Sequence, residues 1–249
     1  MIHRFAVLLL ILCSLPALAK HAYTEIDARA ETVGITGNSP AWHHQEVGWA
    51  YHAADGAAYY TALGHDERFK LQDNYLEGGL HSPISKRWAF DAMLAVSPEH
   101  HFLPQDSFFA ELDYAVSRSW ILHAGIRHSH YQDSQANIAS LGAEAYIGTW
   151  RLAYTLYDGA SGGASGASHV LEADWYYGNL SFVGLVLVRG RQVDRIDSTH
   201  IVITPVDGFT LKGKQAVSSN WALTYTLGLT SLKAFYTRRG VSVGIAYRF

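Results

Sequence analysis

The chain has 249 residues, of which 49% are hydrophobic and only 16% charged, and its net charge is -3. That balance excludes a disordered chain, and neither the charge nor any Lys/Arg run suits a nucleic-acid binder. Aromatic residues reach 13%, with 15 Tyr and 7 Trp, the side chains that favour a water–lipid interface.

The N-terminus reads as a secretory leader. His3 and Arg4 precede an apolar run, Phe5 to Leu12, that is too short to span a bilayer as a helix. Ala17-Leu18-Ala19 forms a small-x-small cleavage site. The expected division is therefore a signal peptide over 1–19 and a single domain over 20–249, beginning at Lys20. The only cysteine, Cys13, follows Leu12 rather than a small residue, which argues against lipidation. Cleavage after Ala19 removes it, so the exported domain has no disulfide, thiolate metal site or Cys nucleophile. No later stretch is long enough for a membrane helix; Phe182 to Val188 is the longest apolar run and contains Gly184.

Beyond the leader, side chains alternate with a period of two, the signature of strands with two unlike faces. Segments of this kind fall near 23–36, 42–53, 57–66, 72–83, 88–97, 106–117 and 120–131. They continue near 136–147, 149–158, 167–178, 180–191, 206–217, 220–231 and 238–249. The pattern is blurred in the first four by Gly, His and acidic residues. It is clearest in Trp221-Ala222-Leu223-Thr224-Tyr225-Thr226-Leu227 and in Val241-Ser242-Val243-Gly244-Ile245-Ala246-Tyr247-Arg248-Phe249. Each segment has about the length of a tilted membrane-spanning strand. Tight connections (such as 54–56, 85–87, 118–119 and 218–219) alternate with longer ones (98–105, 132–135, 159–166 and 192–205). Short turns at one end and longer loops at the other are the habit of membrane barrels. The expected fold is all-β: an antiparallel up-and-down transmembrane barrel of fourteen strands, with twelve as the alternative. A soluble β-sandwich is the competing reading of the same periodicity.

Parity then sorts the side chains. With the bulky apolar set toward lipid, Glu77, Asp91, Glu111, Asp113, Glu144, Glu172 and Asp174 face the lumen, with Arg127, Arg151 and Arg248. Charges in lipid are costly, so an interior that is wet or internally paired is where they belong. Trp88, Trp120, Trp150, Trp175 and Trp221 lie near segment ends, as girdles at the two interfaces would require. The acidic i, i+2 pairs Glu111/Asp113 and Glu172/Asp174 suit a polar conduit, or equally an ion-paired lumen that is closed.

The chain ends on Phe249, with Val241, Val243, Ile245 and Tyr247 on the same face. Tyr247 and Phe249 thus resemble the terminal signal read by the outer-membrane assembly machinery, which would meet this strand while its edge is unpaired. Three further stretches, Trp150-Arg151-Leu152-Ala153-Tyr154, Gly125-Ile126-Arg127-His128-Ser129, and Ser97-Pro98 followed by Phe102-Leu103-Pro104, join Tyr236 to Phe249 in resembling the YaiO-type outer-membrane β-barrel family. The resemblance implies a closed barrel in the bacterial outer membrane and little chemistry.

Of 14 histidines, His128 and His130 share one face beside Asp133, and with Ser129 and Ser134 they form the one cluster that suggests catalysis. The adjacent pairs His43-His44 and His100-His101 point to opposite faces of an extended chain. No phosphate loop, nucleophile elbow or zinc spacing is present, so no enzyme activity, cofactor or metal is expected. The expected function is a passive or gated pore for small polar or saccharide-like solutes. The alternatives are a non-conducting structural or assembly barrel serving envelope or exopolysaccharide machinery, and an outer-membrane lipid-active enzyme. Membrane lipid and the assembly machinery are the expected partners.

Overall fold

The structure is a computed structural model that describes residues 22–37, 39–161, 164–178, 180–195, 201–233 and 235–249. The leader expected over 1–19 lies outside the described residues.

Fourteen strands follow one another: β1 Tyr23–Ile35, β2 Trp42–His52, β3 Ala58–Arg68, β4 Leu71–Pro83, β5 Trp88–Val96, β6 Asp106–Ala115 and β7 Trp120–Tyr131. They continue as β8 Ser134–Ile147, β9 Trp150–Ser161, β10 Ala164–Tyr177, β11 Ser181–Arg195, β12 Ile201–Ala216, β13 Trp221–Leu232 and β14 Tyr236–Arg248. Every strand pairs antiparallel with its chain neighbours, and β1 pairs with β14, closing the barrel. The closing seam runs from Glu25 opposite Arg248 to Ile35 opposite Arg238. The Phe249 amide extends it by donating to the Thr24 carbonyl at 2.9 Å. Closure leaves no edge strand, the one sheet arrangement whose backbone groups are all satisfied in hydrocarbon.

The outer face is an apolar band. Leu63 is 64% exposed, Leu141 62%, Ile126 60% and Val243 60%, values that a soluble core position could not have. On β13 the outward series Trp221, Leu223, Tyr225, Leu227 and Leu229 gives way to Ser231. Eight residue steps at ~3.3 Å give roughly 26 Å along the strand. A tilt of about 40° reduces that to roughly 20 Å of height, near the height of a membrane barrel's apolar band.

Two expectations about the rims need correction. All five tryptophans assigned to two girdles lie at one end, the end of the short turns, where β1 begins and β14 ends. Trp88, Trp120, Trp150 and Trp221 each open a strand there, and Trp150 stacks on Trp175 with centroids 6.3 Å apart. At the opposite end, three connections expected to be long are taken up largely by strand. The β7–β8 turn is only 132–133, β9 and β10 run to Ser161 and from Ala164, and β11 and β12 run to Arg195 and from Ile201. These extensions stand beyond the apolar band. Small and Gly-rich residues there blur the alternation, yet ladder pairs such as Gly159 with Gly166 still satisfy the backbone.

Candidate functional site

The lumen is the candidate site, and it is filled with side chains. In its short-turn half lies a belt of ionised groups. Arg151 on β9 donates to both oxygens of Glu144 (2.9 and 2.6 Å), to Glu172 at 3.2 Å and to Asp174 at 2.9 Å. Lys212 on β12 closes the same group, with its Nζ 3.0 Å from Glu172 and 3.5 Å from Asp174. Asp174 is 0% and Arg151 only 4% exposed, so this cluster is dry, and two cations hold its three carboxylates. The backbone makes room for it: a Cβ on Gly184 would collide with the Asp174 carboxylate and with the Lys212 stem. Nearby, Tyr146 donates to Glu144 and His123 lies 3.0 Å from the Thr155 hydroxyl.

The belt continues around the barrel. Lys214 on β12 reaches Glu25 on β1 at 2.7 Å, spanning β13 and β14. Arg248 lies over the Tyr23 ring, which stacks on His52. On the opposite wall His81 and Asp91 meet at 2.9 Å, with Asp113 beside them, and Glu111 is directly across from Asp91 in the ladder. Higher up, Arg127 lies over the Phe109 ring. Glu77 points into the same wall, and its carbonyl accepts from Thr61 at 2.9 Å. Arg29 and Glu46 pair at 2.6 Å, Tyr75 donates to Glu46, and His44 sits 3.3 Å from Asp66.

Parity reasoning missed the apolar part of the lumen. Val170, Val186, Val188 and Val206 are inward-facing and pack together against Tyr157, and Val206 is only 1% exposed. The signal was available: Phe182 to Val188 is apolar at consecutive positions, so both faces of β11 are apolar there.

At the end opposite the short turns, the side formed by β14 and β1 to β4 is packed from within. The β5–β6 loop folds over β4, and Asp73, which is 0% exposed, accepts from the amides of His101, Phe102 and Leu103 at 2.8–2.9 Å. Phe102 and Leu103 are thereby buried against Tyr75, Phe69 and Leu71. Phe69 meets Trp42 edge-on at 5.2 Å, and Trp42 meets Tyr236 at 5.9 Å. Arg68 and Arg238 lie over the Trp42 ring. The turn that places Phe69 has both of its residues, Phe69 and Lys70, at positive φ (57° and 63°), the twist that a two-residue hairpin needs. At the rim the hydrogen bond to Asp73 raises the pKa of the half-exposed His101 imidazole, and bonds from Asn74 lower that of Glu99.

The serine–histidine cluster is not assembled. Ser129 faces inward and meets Ser107 at 3.1 Å, whereas His128 and His130 face outward and contact Asn137 (2.7 Å) and Asp106 (3.2 Å). Of the adjacent pairs, His44 is buried in the lumen and His43 is exposed. Tyr247 faces outward, tilted 4.6 Å from Trp221, and Phe249 packs edge-on against it.

A closed antiparallel barrel with an apolar belt outside and charges inside is a membrane β-barrel. The YaiO membrane beta barrel domain model matches residues 26–195, and the chain belongs to that family. No curated protein matches. Among solved structures, the chain is similar to a bacterial polysaccharide outer membrane secretin (8% identity, 93% of this chain and 99% of that one, TM-score 0.56). It is also similar to TodX, a monoaromatic hydrocarbon channel (9%, 91% and 90%, 0.56). A third is the translocator domain of the autotransporter NalP from Neisseria meningitidis (10%, 91% and 88%, 0.52). At such identities the likeness is one of fold.

Proposed function

We propose that this protein sits in the bacterial outer membrane, after removal of residues 1–19, as a barrel without a standing aqueous channel. The observation that carries this is the valine cluster inside the lumen: Val170, Val186, Val188 and Val206 are buried there, and a water-filled bore would expose them. The dry ion-paired belt around Arg151 supports the same reading, because charges lining a wet pore remain hydrated. The role is then structural or assembly-related within the envelope. The separation of Ser129 from His128 and His130 favours a non-enzymatic role. The closing strand, with Tyr247 and Phe249, serves insertion by the assembly machinery.

The test is single-channel recording of the purified chain in a planar bilayer. Long quiet traces at low voltage are expected; a steady open conductance in most insertions would refute the proposal. A gated pore for small polar or saccharide-like solutes is the second reading. It is favoured by the β5–β6 loop, which one carboxylate, Asp73, holds over the mouth. Under that reading Asp73→Asn converts quiet traces into open steps.

A further inference from the structure

Of the lumen's charged groups, one set lacks neutralisation. Asp91, Glu111 and Asp113 project from β5 and β6 into the same wall. Among the described residues no Lys or Arg forms an ion pair with any of them; Asp91 meets His81, and Glu111 accepts from the Ser140 hydroxyl at 3.5 Å. The Glu144–Glu172–Asp174 group has the same number of carboxylates but is held by Arg151 and Lys212. Three carboxylates in a low-dielectric wall repel one another unless protons or a cation join them.

The geometry supplies a place for one. One ring nitrogen of His81 and one oxygen each of Asp91 and Asp113 all lie within 4.8 Å of one another. Tetrahedral ligands about 2.0–2.2 Å from an ion stand about 3.3–3.6 Å apart, so small side-chain rotations would bring the three donors onto one ion. A second observation is independent of the clustering. Asp91 is 0% exposed, and its Oδ2 is buried without a hydrogen-bond partner, an arrangement that normally costs several kcal/mol. Ladder register creates the set: His81 is directly opposite Asp91, and Ala89, directly opposite Asp113, leaves space on the Asp91 side. All three ligands lie near the short-turn end, and Asp113 is partly exposed, so an ion entering by that mouth can reach them.

We propose that His81, Asp91 and Asp113 form a binding site for one divalent transition ion of the zinc class, with Glu111 beside it as a third carboxylate. One imidazole with carboxylates suits such an ion better than calcium or magnesium, which favour all-oxygen shells. The ion would tie β4, β5 and β6 together at the mouth. This holds whether or not the barrel conducts.

The experiment uses the full chain refolded in detergent micelles, with Zn²⁺ alone as the probe in isothermal titration. One zinc per barrel is expected. Asp113→Asn and His81→Gln should each weaken binding by more than about tenfold. A His128→Ala, His130→Ala double variant, altered at the exposed outer rim, should bind as before. Absence of stoichiometric binding, or binding that both lumen variants leave unchanged, overturns the proposal. Should a variant fail to fold, zinc-edge X-ray absorption on the unaltered protein decides. A shell of one imidazole with oxygen ligands supports the site, whereas two or more imidazoles assign the ion to surface histidines and refute it.

Discussion

Replacing Arg151 with Met removes the one guanidinium that satisfies Glu144, Glu172 and Asp174 together. The methionine fills a similar volume, so the loss is mainly electrostatic. Lys212 still reaches Glu172 and Asp174, but Glu144 keeps only the Tyr146 hydroxyl and the His123 ring, whose Nδ1 is 3.9 Å away. Breaking a buried pair on one side costs about 3–5 kcal/mol, because the remaining charge stays buried without compensation. A surface pair gives the contrast. Arg189 and Asp207 are 3.7 Å apart with the arginine side chain 85% exposed, and Arg189→Met should cost at most about 1 kcal/mol. The assay is urea unfolding in lipid, followed by tryptophan fluorescence and by the heat-dependent gel shift of folded barrels. Adding Glu144→Gln to Arg151→Met should recover part of the loss, giving a coupling of roughly 1–3 kcal/mol. If Arg151→Met and Arg189→Met cost the same, or if the second substitution recovers nothing, the belt is hydrated and the closed-lumen argument fails.

Facing can be tested on β13: Leu227→Arg, near mid-membrane on the lipid side, should cost roughly 2–4 kcal/mol. Thr224→Arg, three residues away on the inward face, should cost clearly less, and equal urea midpoints would contradict the assigned parity. Deleting Phe249 should lower folded, surface-exposed protein in cells far more than it lowers stability after refolding. One exposed aromatic is worth at most roughly 1.5–3 kcal/mol of burial, so equal losses in both settings would reduce it to a packing residue. The third concerns the loop over the mouth. Asp73 raises the His101 pKa, so the charged imidazole stabilises the docked loop. That contribution is fully present below the unfolded value near 6.5 and is lost as pH rises through the folded value. Amide exchange at Phe102 and Leu103, corrected for intrinsic rate, should therefore quicken as pH rises above about 6.5. His101→Asn should abolish that dependence.

The sequence by itself determined the class of fold and the facing of the later strands within the membrane, and it favoured fourteen strands over twelve. The reason is local: a lipid outside and a charged interior impose alternation on every strand, and tight turns mark one end. Where that contrast fades, so does the reading. Strand beyond the apolar band has no lipid to face, and the extensions of β9 and β10 are rich in Gly and Ser, so they looked like loops. Inside the lumen, parity can say that Arg151, Glu144 and Asp174 point the same way, but not that they touch. Contact depends on ladder register, and β12 meets β1 through Lys214 and Glu25 only once the barrel is closed. The same closure brings Trp42 to Tyr236, and the fold of the β5–β6 loop sets Phe102 over Tyr75. It is register, again, that places His81 opposite Asp91 and leaves three carboxylates in one wall without a counter-charge.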